Sequence, residues 1–219
     1  MRKAVITADI EGSTQLPHHD LEVLFDVIKQ EISRIQAESQ ISEVLFYRGD
    51  SFQLLVDDPR EALRAAMILK ASVNKIVLAG EDRGRGKKVR YDLAASIGLG
   101  DVTSDKAIAE QNEKPFILSG RGLERLKDND QTIGIFTGSV SIDQHFETVC
   151  YLYQWIMNQW SLTSAELIYF KLWGLTEREI AGELGISQPA VNQRSHAACW
   201  SGLERILRLY RETEEQHHA

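Results

Sequence analysis

Residues 162–200 read LTSAELIYFKLWGLTEREIAGELGISQPAVNQRSHAACW, and they carry the most specific pattern in the chain. Thr163 with Glu166, and Thr176 with Glu179, each set a hydroxyl three residues before a carboxylate. That is the capping-box spacing, in which the two side chains satisfy backbone amides left open at a helix start. Gly174 closes the first of these helices, and the next runs through Ile180, Ala181 and Leu184 to Gly185. A third starts after Ser187 as N-cap, with Pro189 inside its first turn, where a missing N–H is harmless. Ala181, Gly185, Ile186 and Val191 are small or branched and let two short helices cross closely, so the spacing predicts a helix-turn-helix.

The last of these helices separates its residues by chemistry. Val191, Ala198, Leu203 and Ile206 recur as an apolar stripe, which predicts one helix continuing to about residue 213. Gln188, Asn192, Gln193 and Arg194 are polar, and they are the types that read base edges: Asn and Gln pair with adenine and Arg with guanine. Ser187 and Arg194 are also suited to phosphate contacts. The segment resembles the helix-turn-helix of LuxR-type regulators and of sigma-factor region four, which implies DNA as partner and Ser187, Gln188, Asn192, Gln193 and Arg194 as its contacts. The bland alternative is a helical module for dimerisation or protein contact. The apolar residues from 201 onward and the aromatic run YLYQWIMNQW before the motif predict surfaces that pack on each other or form a homodimer. Two modules on two half-sites gain affinity through effective concentration.

Working toward the N-terminus, the texture changes at residue 140. Beyond it every segment reads helical, and the tail RETEEQHHA reads as a frayed end. Before it, strand-like runs alternate with helices: KAVITAD, VLFYRG, SFQLLVD, YDLAASIGLG and QTIGIFTG. One helix is marked by Leu21, Leu24, Phe25, Ile28, Ile32 and Ile35 on a common face, and another after Pro59 by Ala62, Ala65, Ala66, Leu69 and Val73. The expected architecture is an α+β domain over 1–140 and an all-α domain over 141–219 that contains the helix-turn-helix.

With 25 Lys and Arg against 32 Asp and Glu among 219 residues, the formal charge is −7, and both sides of residue 140 are net negative. Phosphate neutralisation supplies most non-specific DNA affinity, so this charge weighs against a strong electrostatic footprint. The basic stretch RGRGKKVR at 83–90 reads as a solvated turn. No apolar run is long enough to span a membrane, and the N-terminus lacks a signal-peptide pattern, so a cytoplasmic protein without membrane partners is expected. Cys150 and Cys199 read as core thiols. The histidines have no metal-ligand spacing, with His18 and His19 expected in a loop.

Two carboxylates in the first domain invite chemistry. Asp9 ends a strand in TADIEGST, and Asp50 follows Gly49 at the tight turn of a hairpin in YRGDSF. Converging, they would suit Mg²⁺, a hard ion that takes oxygen ligands and keeps phosphate oxygens in its shell. The amides of Gly12, Ser13 and Thr14 would then lie where a helix starts, a favourable place for a nucleoside triphosphate. The plain reading keeps Asp9 as a cap and Asp50 as a turn residue. The order TADIEGST, helix, hairpin with GDSF, DPREALRAAMIL, YDLAASIGLGDV resembles the class III nucleotidyl cyclase domain over residues 4 to about 137, a ferredoxin-like fold. The resemblance implies Asp9 and Asp50 as metal ligands. It also places Phe46 where cyclases carry a base-reading Lys, and offers Arg121 or Arg125, with Ile117 or Arg121, for their Asn–Arg pair. The whole chain, with RGDSFQ, FILSGRGLE and the terminal helices, is similar to the SatD family, which pairs such a domain with a DNA-binding tail. These readings converge on a cytoplasmic transcriptional regulator with a degenerate cyclase-like domain for sensing and dimerisation. An active two-metal cyclase and a protein-interaction module are the alternatives.

Overall fold

A computed structural model describes residues 1–38, 41–47, 50–77, 91–104 and 106–216. The basic stretch at 83–90, Gly49, expected at a hairpin turn, and residues 217–219 lie outside the described residues. The strands are β1 (Arg2–Ile10), β2 (Ile41–Phe46), β3 (Ser51–Val56), β4 (Leu93–Asp101) and β5 (Ile133–Phe136). They alternate with α1 (His18–Glu38), α2 (Ala62–Asn74) and α3 (Lys114–Asp128), and are followed by α4 (Val140–Asn158), α5 (Leu162–Leu172), α6 (Glu177–Leu184), α7 (Gln188–Ala197) and α8 (Trp200–Gln216). The class is α+β, and each of the five strand-like runs forms a strand.

The sheet order is β2-β3-β1-β4-β5. β1 is antiparallel to both β3 and β4, β2 and β3 form a hairpin, and β5 adds parallel to β4. The first four strands with α1 and α2 thus trace the β-α-β-β-α-β order of ferredoxin-like folds. Alternation along β1 fixes which side each residue serves. Ala4, Ile6, Ala8 and Ile10 enter the main core with α1 and α2, while Val5 joins a smaller cluster with Leu55, Val102, Ile108 and Phe116 on the α3 side.

Helix α2 is buried along almost its whole length, because the sheet covers one side and α1 and α5 cover others. It therefore carries no polar stripe, apart from residues that bond inward. Lys70, with no exposed surface, donates to Asp92 Oδ1 at 2.9 Å, to Thr132 O at 3.1 Å and to Leu93 O. Asn74 donates to Tyr91 O at 2.8 Å and Asp92 Oδ1 at 3.0 Å. The main core runs on without a break into Tyr153, Met157, Leu167, Ile168, Ile180, Val191, Leu203 and Tyr210 of the later helices.

Four local expectations are corrected. The cap of α5 is Ser161, whose Oγ accepts from Ser164 N at 3.1 Å, so Thr163 lies inside the helix and Glu166 closes no box with it. The last helix is not continuous: α7 ends at Ala197, Cys199 takes a left-handed φ of 58°, and α8 restarts at Trp200. His18 and His19 open α1 rather than lying in a loop, because Pro17 O receives the first helical bond, from Leu21 N at 3.1 Å. The tail is no frayed end up to Gln216, because Glu214 is fully buried and accepts from Arg2 Nε at 2.8 Å and Nη2 at 3.0 Å. Tyr210 Oη also donates to Pro59 O at 2.6 Å.

Candidate functional site

Asp9 belongs to the β1 set that faces α3, two residues after Thr7, whose hydroxyl donates to Ser119 Oγ of α3 at 2.8 Å. Gln53 Nε2 of β3 donates to Thr7 Oγ1 at 3.0 Å, so a polar interior lines this side of the sheet. The β1–β3 register sets Asp9 opposite Ser51, which brings Asp50, one residue earlier, beside it. Asp9 is 9% exposed. Its Oδ2 accepts from the Lys127 ammonium at the last turn of α3, while its Oδ1 is buried with no hydrogen-bond partner. Burial pushes the Asp9 carboxyl above the usual carboxylate range; Lys127 opposes that rise and Asp50 adds to it. Lys127 in turn is held above the usual lysine range by its bond to Asp9, with the charges of Asp50 and Glu11 adding.

Two carboxylates, one of them with a buried open oxygen, are the donors a hard divalent ion takes, so the pair fits Mg²⁺ by chemistry. No group of three or more His, Cys, Asp or Glu side chains is placed to hold a metal among the described residues. Gly12, Ser13 and Thr14 follow β1 after Glu11, but not as the start of α1. Gly12 takes a left-handed φ of 66° and Ser13–Gln15 make one 3-10 turn, closed by Gln15 N to Gly12 O at 2.9 Å and Leu16 N to Ser13 O at 3.1 Å. The α1 dipole begins at His18, so it does not act on those amides.

The remaining cyclase-like positions are also occupied otherwise. Phe46 packs edge-on to Phe25 at a centroid distance of 5.3 Å and tilted on Phe52 at 6.1 Å. Arg121 is exposed, Ile117 is 41% exposed, and Arg125 pairs with Glu147 at 3.1 Å.

The second candidate surface is α7. Thr176 and Glu179 form the expected capping box at the start of α6, and Gly185 ends that helix with a left-handed φ of 62°. Ser187 is the N-cap of α7 and Pro189 lies in its first turn, although the Ser187 hydroxyl makes no cap bond. Val191, Ser195 and Ala198 are buried, with Ser195 Oγ donating back to Val191 O at 2.9 Å and Trp160 Nε1 donating to Ala198 O at 3.1 Å. Ser187, Gln188, Asn192, Gln193 and His196 are exposed, and Arg194 is half-buried at the flank. Among the described residues, the side chains of Gln188, Asn192, Gln193 and Arg194 make no hydrogen bond or ion pair within the chain, and α7 contains no carboxylate.

Reading the sequence missed Lys127, and no local signal could have found it, since 118 residues separate it from Asp9. It also missed the Lys70–Asp92 pair. There the signal was a lysine flanked by the apolar run Met67–Leu69 and Ala71 of α2, which implies a buried partner.

No family model matches the chain. An anthranilate phosphoribosyltransferase of Chloroflexus aggregans is 41% identical over 70 residues, which is 31% of this chain. That stretch is 21% of the transferase, so the chain spans about a fifth of the relative it matches. Among solved structures, the active GGEEF domain of a diguanylate cyclase from Vibrio cholerae is similar with a TM-score of 0.45 and 16% identity, over 64% of this chain and 85% of that chain. Neither likeness assigns this chain to a family.

Proposed function

We propose that the chain is a DNA-binding transcriptional regulator of the SatD kind, acting in the cytoplasm, in which residues 162–200 form a helix-turn-helix and α7 reads the major groove. One observation carries the reading: α7 turns Gln188, Asn192 and Gln193 outward with no partner inside the chain, on a helix whose opposite face is anchored by Val191 and Ser195. Side chains of this kind discriminate adenine by paired hydrogen bonds, each good pair contributing about 1–3 kcal/mol. The absence of carboxylates on α7 keeps it compatible with a phosphate backbone despite the negative charge elsewhere. Arg194, at the flank, suits a phosphate better than a base. Ser187, at the helix start, does the same.

A second copy of the chain is the partner this reading calls for, since paired half-sites compensate for a weakly charged module. Tyr151, Leu152 and Trp155 of α4 are each more than half exposed and offer apolar surface for it. The test is fluorescence anisotropy with DNA from the protein's own upstream region over a salt series. Wild type is expected to bind one fragment specifically, and Asn192→Ala with Gln193→Ala to lose that preference while keeping the non-specific background. No binding at low salt, or unchanged specificity in the double variant, overturns it.

The proximity of Asp9 and Asp50 favours a companion reading for the front of the molecule, a cyclase-like domain that takes Mg²⁺ with a nucleoside triphosphate. Asp9 and Asp50 would hold the ion, which when bound would neutralise phosphate charge; Gly12, Ser13 and Thr14 would lie against the phosphates. Phe46 in its aromatic cluster offers no base-reading cation, which supports sensing rather than turnover. Pyrophosphate release from ATP or GTP with Mn²⁺, abolished by Asp50→Asn, would establish the active cyclase instead.

A further inference from the structure

Of the features the proposed reading leaves unused, the Lys127 side chain bears most directly on ligand binding. It reaches from the last turn of α3 to Asp9 Oδ2 and lies within the field of Asp50 and Glu11. Its side chain is 50% exposed, whereas that of Asp9 is 12% exposed. The carboxylate is therefore fixed in the sheet, and the ammonium is the member of the pair with a path to solvent. An ammonium and a hydrated divalent cation seek the same thing, negatively charged oxygen. With Oδ2 of Asp9 engaged, only the buried Oδ1 remains open on that carboxylate.

We infer that Lys127 is the built-in counter-cation of the Asp9–Asp50 pair, and that a divalent ion enters this site only by displacing it. The inference rests on the reading of the pair as a metal site. Two cations sharing these carboxylates repel each other, and in a half-buried place that repulsion is weakly screened. Binding of the ion is thus weakened by the fraction of molecules in which Lys127 has swung out. The exchange forms and breaks no covalent bond. A pair carrying two negative charges trades a single positive charge for a double one and becomes neutral.

The experiment is a titration with Mn²⁺ alone, the free ion followed by electron paramagnetic resonance, at about neutral pH, on the full chain. Lys127→Met is expected to bind one Mn²⁺ about tenfold more tightly than wild type, and Lys127→Arg, which keeps the charge, to bind as weakly as wild type. Adding Asp50→Asn to Lys127→Met is expected to abolish the gain. Equal affinities in wild type and Lys127→Met, both lost with Asp50→Asn, would overturn the competition while leaving the metal site standing. Absence of binding in every variant, or binding indifferent to Asp50→Asn, would remove the site itself and the inference with it. Lys127→Gln serves as a second neutral variant if the methionine form does not fold.

Discussion

Burial raises the Asp9 carboxyl, Asp50 raises it further, and Lys127 offsets only part of the rise, so ionised Asp9 works against the fold. The sign follows from proton linkage. Below the ordinary carboxylate value near pH 3.9, Asp9 is protonated in both states and contributes no difference. As pH climbs from there through the raised native value, the unfolded chain gives up its proton first, and stability falls to a lower plateau. Asp9→Asn is therefore expected to raise the melting temperature at neutral pH, with the gain vanishing in acid. Melting curves at both pH values check it, and a loss of stability at neutral pH would refute it. The two thiols differ as well: burial pushes the Cys150 thiol up to about 12, while Cys199 is partly exposed. A maleimide is expected to label Cys199 alone in the native protein and both on unfolding, read by mass spectrometry. At this scale Asp9 and Asp50 were legible because strand alternation and a hairpin are local patterns. Lys127 was not, because its partner is set by how α3 crosses the sheet.

At the scale of elements, α3 lies unusually close to β4, and two glycines make room for it. A Cβ at Gly98 of β4 would stand 2.1 Å from Pro115 O and 2.6 Å from Ser119 N. At Gly122 of α3 it would stand 2.2 Å from Ser96 Oγ and 2.3 Å from the Phe136 ring. Backbone atoms cannot step aside as a side chain can, so Gly98→Ala is expected to cost at least the roughly 1–3 kcal/mol of an overpacked core. It should also disturb the Thr7–Ser119 bond under the carboxylate pair, and chemical denaturation measures the loss. The helix boundaries show where sequence reading works. Thr176 and Glu179 compete with no better cap, whereas Thr163 lost to Ser161 because an equally good hydroxyl stood two residues earlier at the end of α4's exit turn. The α7–α8 break escaped notice because the apolar stripe continues across it, and only the left-handed Cys199 reveals the change of direction.

Across the whole molecule, the change of texture at residue 140 is a change of secondary structure, and the apolar core runs through it. Helix α2 illustrates why the later helices could not be assigned their places from sequence: its small apolar residues suit a sheet or a helix equally, and it meets both. The clasp between Arg2 and Glu214 was equally hidden, since a charged tail reads as solvated until its partner is known. Arg2→Ala would strand a fully buried carboxylate and is expected to cost about 3–5 kcal/mol, measured by denaturant titration. Arg2→Met combined with Glu214→Leu should recover most of that loss, because it removes the unpaired charge as well. A double variant no better than the single one would show that packing of α8, not charge, holds the region.

That clasp also gives the chain an order of events. β1 is the middle strand of the sheet, yet its Arg2 waits for a carboxylate that is synthesised 212 residues later. Folding that proceeds from the N-terminus during synthesis can assemble the sheet, but its last lock is turned only when α8 emerges. Nascent chains stalled before residue 214 should therefore be degraded by protease faster than chains carried past it, even with the sheet assembled.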